Sequence, residues 1–163
     1  MDFQEYAFAR ELAGRSTELD GSIKKFIDRV FESMQQPGAD ELGISISRVE
    51  NSPFALLATF HRRIIDIEFE NAIYHDPQMR DKNLIAHIKL SVRLDGGERH
   101  RQSSPLFIFS GGLLMLLKDF TLDVHDLGLT PHDIKMIRTS LSELIIKAVH
   151  PLLPVYADRD EII

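Results

Sequence analysis

Three neighbouring pairs, His75-Asp76, His125-Asp126 and His132-Asp133, carry the side chains of this chain best suited to chemistry. Neutral imidazole and carboxylate together hold divalent cations well. Their spacing argues against a shared ligand set, because adjacent residues point apart on a helix or a strand. Pro77 and Gly128 also place two of the pairs beside turns, where Asp bonds to local backbone. His132 and Asp133 suit the opening turn of a helix. A metal reading, that of a metal-dependent hydrolase, therefore rests on His125 and His132 converging with Asp126 around Gly128, and no HExxH pattern supports it.

Nucleophile candidates are Ser103, Ser104 and Ser110, but the chain has no GxSxG elbow. Asp66, Glu68 and Glu70 share a strand face, yet nothing in the sequence separates their pKa values into an acid and a base. The run LFIFSGGLLMLLKDF, residues 106–120, has the order of a phosphate loop without its content: two glycines only, and Lys118 well past the place a cradling lysine occupies. It reads instead as a turn by which the last strand leaves the sheet, with Ser110 capping a helix-like run from Leu113. No catalytic residue and no cofactor follow from these patterns, and the chain reads as a non-enzyme.

The elements that would position these residues are legible from periodicity. Phe3, Tyr6, Ala7, Ala9 and Leu12 recur at helical spacing up to Gly14. A second helix is expected from an Asp20 or Ser22 cap, with Ile23, Phe26, Ile27, Val30 and Phe31 as its stripe, ending at Pro37-Gly38. The middle of the chain switches to a period of two. Ile44 to Val49 and Phe54 to Phe60 form a hairpin across Glu50-Asn51-Ser52-Pro53. Next, IIDIEFENAIYH sets Ile65, Ile67, Phe69 and Ile73 against Asp66, Glu68, Glu70 and Tyr74, and LIAHIKLSVRL sets Leu84 to Leu94 against His87, Lys89, Ser91 and Arg93. Paired as neighbours, these two strands bring opposite charges together on one face. Asp95-Gly96-Gly97-Glu98 turns into a last strand. Thr130-Pro131-His132-Asp133 then opens a long C-terminal helix that closes at His150-Pro151.

The fold class that results is α+β: an antiparallel sheet of about five strands in meander order, with two N-terminal helices and one long C-terminal helix packed on one face. A chain of 163 residues is the size of one domain, so residues 1–163 are expected to form a single unit with a flexible tail over 156–163. The absence of cysteine excludes disulfides and thiolate sites and fits a cytoplasmic protein. MDFQEYAFARELAG carries charges too closely spaced for a signal peptide, and the longest apolar run is broken by Ser110-Gly111-Gly112, so a soluble protein away from membranes is expected. A net charge of −6 argues against nucleic acid as a partner. No stretch reads as the motif of a known family.

Function narrows to three expectations. The first is a non-catalytic interaction module, accessory, chaperone-like or inhibitor-like, that binds a protein partner or itself as a homodimer. Its sheet face would act through Ile64, Tyr74 and Ile85, with Arg99 and Arg101 for an anionic contact. The second is a binder of a small apolar ligand in a cavity between a bent sheet and the last helix, walled by Phe54, Phe60, Phe69, Phe107 and Phe109. The third is the hydrolase of His125 and His132.

Overall fold

The structure, a computed structural model, describes residues 1–75, 82–109, 113–118, 121–126 and 130–156, and among these the side chains of 82–83, 113–118 and 121–126 lie outside the description. The chain opens with one helix, α1 (Phe3–Met34), where two were expected. Gly14 weakens a helix by about 1 kcal/mol relative to Ala but does not end it when the next turns are held elsewhere. Here an Arg15–Glu11 pair spans the glycine. Ser22 does not cap: its hydroxyl donates back to the Glu18 carbonyl at 3.2 Å, the bond of a serine inside a helix. The helix starts at a capping box, with Asp2 accepting from the Glu5 N–H and Glu5 accepting from the Asp2 N–H.

Among the described residues eight strands form one sheet, and every pairing in it is antiparallel. They are β1 (Ser45–Val49), β2 (Ser52–Phe60), β3 (Arg63–His75), β4 (Lys82–Arg93), β5 (Arg99–Gln102), β6 (Leu106–Phe109), β7 (Leu113–Lys118) and β8 (Thr121–Asp126). Their order is β1-β2-β3-β4-β6-β7-β8, a meander in which β5 also pairs with β4. The expected last strand is therefore two, β5 and β6, broken at Ser103-Ser104-Pro105. The helix-like run after Gly112 is strand β7, not a helix. Leu and Met favour helices only weakly, and an apolar run without polar spacing has no period to decide the matter; pairing with β6 and β8 does. Ser110-Gly111-Gly112 itself, like residues 76–81 and the expected tail 157–163, lies outside the described residues.

Register sets the two sheet faces. Ile65 stands opposite Val92, Ile67 opposite Leu90 and Phe69 opposite Ile88, while Leu56 and Ala58 continue the same rows on β2 and Ile108 continues them on β6. This inner face takes α1 through Leu19, Ile23, Phe26, Ile27 and Val30, and α2 (Pro131–Val149) through Ile137, Leu141, Leu144 and Ile145. Phe26 meets Phe69 edge to face with ring centroids 5.9 Å apart. As expected, α2 begins at Thr130 with Pro131 in its first turn and a Thr130–Asp133 capping box. No helix among the described residues is long and apolar enough to cross a membrane.

Two turns aim the sheet. β2 and β3 are joined through His61 and Arg62, both left-handed at φ 47° and 61°, which gives the tight two-residue reversal that matches strand twist. The His61 ring stacks beside Phe60 at 4.1 Å and lies 5.6 Å from His150, tying this turn to the end of α2. Between β4 and β5, Gly96 and Gly97 sit at φ 83° and 84°, where a side chain would be strained.

Phe26, 1% exposed, is the largest fully buried side chain among the described residues. Phe26→Ala should destabilise the protein by about 3–5 kcal/mol. Urea unfolding checks this as a lower midpoint at unchanged slope.

Candidate functional site

The outer face of the sheet collects the charges that the alternating pattern rejects from the core. Glu68 stands opposite Lys89 and Glu70 opposite His87, as the sequence expects of neighbouring strands. The closest ion pairs run diagonally. Arg93 clamps Asp66 through Nε at 2.8 Å and Nη2 at 2.7 Å, a planar two-point grip. Lys89 donates to Glu70. Arg99 adds looser contacts, 3.5 Å to Asp66 and 3.9 Å to Glu68.

Burial and charge act together on Asp66. Its side chain is 12% exposed while that of Arg93 is 43% exposed, so the pair sits at a boundary, with the carboxylate below and the guanidinium above. The hydrogen bonds from Arg93 hold the Asp66 carboxyl below its usual 3.8, outweighing the burial that pushes it up, with the charges of Arg93 and Arg99 adding to the effect. In the same way the hydrogen bond from Lys89 holds the Glu70 carboxyl below its usual range.

A shallow groove of about 290 Å3 runs over this ladder, between Glu68, Glu70 and Lys89 on one side and Arg99, Arg101 and Ser103 on the other. His87 lies in it. The Nε2–H of His87 donates to the Ser104 carbonyl at 2.7 Å, since a carbonyl only accepts. The ring also stacks on Phe107, 4.6 Å between centroids and 15° between planes. Ser104 is no nucleophile here: it is 4% exposed and its hydroxyl accepts the Leu106 N–H at 3.1 Å. Three carboxylates, Asp66, Glu68 and Glu70, thus face four cations, Lys89, Arg93, Arg99 and Arg101. Arg101 is the one of the four without a direct ion pair among the described residues; it acts on Glu70 only at longer range.

The residues named from sequence fall in different places. Arg99 and Arg101 are exposed on β5 at the groove. Ile64 and Tyr74 lie half-buried on the outer face, Tyr74 edge to face with Phe109 at 5.8 Å. Ile85, opposite Phe109 on the same face, is 3% exposed and so offers no surface to a partner. The five phenylalanines do not wall one cavity. Phe60 and Phe69 pack with the inner core, Phe54 takes the Lys24 ammonium 5.7 Å from its ring centre, and Phe107 and Phe109 lie on the opposite face. The cavity reading fails on strand parity: 107 and 109 alternate with the inward Leu106 and Ile108. His132 is exposed at the start of α2, with Asp133 occupied in the helix cap. His125 and Asp126 belong to β8, their side chains outside the description. Among the described residues no group of three metal-binding side chains occurs.

Sequence reasoning did not find His87 or the backbone it holds. Its periodicity signal marked it only as outward, because the contact depends on where β5 breaks from β6. What these features define is an α+β protein whose antiparallel sheet is packed by helices on one face and carries a salt-bridged groove on the other. Set beside known proteins, the chain matches no family model, no curated protein and no solved structure.

The Asp66 shift has a signed consequence. Held below 3.8, the folded carboxyl stays charged where the unfolded chain takes up a proton, so its contribution is complete above that value and is lost as pH falls through the folded one. Wild type should therefore lose stability more steeply than Asp66→Asn below about pH 4, while at neutral pH the variant is the less stable of the two. Thermal midpoints across an acid pH series check both limbs.

Proposed function

We propose that the protein is a non-catalytic interaction module whose outer sheet face holds an extended, acidic segment of a partner protein, seated along β5. The observation that carries this reading is Arg101, an exposed guanidinium in the groove with no ion pair among the described residues, on a strand, β5, that among them pairs with β4 alone. A carboxylate reaching Arg101 completes a charge balance that the described residues leave one carboxylate short. It also forms a charge-assisted bond of the kind that contributes about 1.5–3 kcal/mol.

The backbone supports the same direction. Arg99 to Gln102 present four residues of edge strand, and a segment added there gains main-chain hydrogen bonds with little dependence on its sequence. Alternate side chains of that segment then fall on the outer face, over Arg99 and Arg101, which share their parity with Ser91 and Arg93. The overall charge of −6 keeps acidic partners from gathering unspecifically and makes the local surplus the selective feature.

Fluorescence polarisation with a labelled peptide alternating Glu and Val, against one alternating Lys and Val, tests the reading. The acidic peptide should bind the tighter, and Arg101→Glu should weaken it about 10- to 100-fold, the equivalent of one charge-assisted bond. Equal binding of the two peptides, or an unchanged affinity in Arg101→Glu, overturns it. Circular dichroism of the variant guards against misfolding, which an exposed site gives no reason to expect.

A further inference from the structure

On the first half of α1 the residues Phe3, Tyr6, Ala7, Arg10, Ala13 and Gly14 are all exposed. Residues 1–10 are all exposed, and full burial on the helix begins only at Leu19. Phe3 is 86% exposed and Tyr6 59%, on a helix pinned in place by its capping box rather than left to fray. At 3.6 residues per turn, Phe3, Tyr6, Ala7, Arg10, Ala13 and Gly14 share one side, opposite the stripe of Leu12, Leu19, Ile23 and Phe26 that meets the core. That side is bulky at its start and small further on. Apart from the helix's own backbone, no described residue lies within 4 Å of where a Cβ on Gly14 or Gly21 would stand, so no contact among the described residues requires either glycine in the middle of a helix.

A surface that is large at one end and small at the other is complementary to itself when reversed. We infer that two copies of this chain pair through α1, antiparallel, with Phe3 of each seated on Ala13 and Gly14 of the other and Arg10 of each lying across Ala7 and Tyr6 of the other. Both contacts centre on one point of the helix, between Phe8 and Ala9, as a single two-fold axis requires. The arrangement puts a guanidinium against a tyrosine ring, a favourable cation–π contact. It also sets the acidic first turn, Asp2 and Glu5, at the level of the Arg10–Arg15 stretch of the other copy, and opposes the two helix dipoles. A parallel pair loses each of these, stacking aromatics on aromatics and acid on acid. The exposed parts of the four aromatic side chains account for about 430–730 Å2 at the usual 150–250 Å2 for a whole one, the larger part of the roughly 1,000 Å2 that a specific interface needs, and Ala7, Arg10 and Ala13 of each copy add to it.

The surface is distinct from the β5 groove, so the two readings stand or fall separately. Light scattering after gel filtration should give the mass of two chains for the wild type and of one chain for the double variant Phe3→Glu, Tyr6→Glu, with unchanged circular dichroism. Gly14→Leu fills the small end while favouring the helix, and should also give one chain. Because the protein has no cysteine, a mixture of copies bearing Ala7→Cys with copies bearing Arg10→Cys should form a disulfide between unlike chains under mild oxidation. A wild type at the mass of one chain, a dimer that survives Phe3→Glu, Tyr6→Glu, or cross-links confined to Ala7→Cys with itself overturns the inference.

Discussion

With Ile67 opposite Leu90 and Glu68 opposite Lys89, the β3–β4 ladder assigns every residue of the two longest strands to one face or the other. A slip of one residue would carry Asp66 and Glu70 into the core and turn Ile65 and Ile67 to water, so the register is held by both faces at once. From it follow the surface on which both helices settle and the row of charges above which the groove lies. The Arg93 grip on Asp66 is a product of the same register: it spans the diagonal between strands, where a long guanidinium side chain reaches and a short one does not.

The two faces are stabilised by different physics. Inside, contact is apolar and dense, with Phe26, Ile65, Ile67, Ile88 and Ile108 almost wholly removed from water. Outside, most ion pairs are exposed and individually weak, and their value lies in arrangement. Asp66 is the exception, since its carboxylate is sunk among its neighbours and leaves Arg93 little freedom. That anchored pair lies beside the groove, and within it His87 is held by its contacts with Ser104 and Phe107. What stays free between them is Arg101.

Legibility from sequence varied with the range of the interaction concerned. The α2 start, the hairpin turn at Asp95-Gly96-Gly97 and the alternation of β3 and β4 depend on residues within a few positions of each other, and each is found as expected. The single α1 and the strand β7 are not. Gly14 suggests a stop and the leucine-rich run a helix; the Asp2–Glu5 capping box and the Arg15–Glu11 pair carry α1 across the glycine, while pairing with β6 and β8 outweighs the local helical preference of residues 113–118, about 1 kcal/mol or less per residue. The candidate site was half visible. Arg99 and Arg101 stood out as a basic tip, whereas His87 and the deep seat of Asp66 needed the break between β5 and β6 to bring the chain back alongside β4.

By itself the sequence determined what repeats along the chain: which residues face inward, which strands pair as neighbours, where α2 is capped, and that opposite charges would meet on the far side of the sheet. Those are consequences of period and of local hydrogen bonding, which short stretches carry complete. Tertiary structure alone decided that Leu113 to Lys118 pair as a strand, that Ile85 is covered, and that Phe107 and Phe109 lie on the face opposite Phe60 and Phe69. Unlike α1, which local bonds carry across the glycine, each of these turns on partners many residues away, whose packing outweighs what any local stretch prefers.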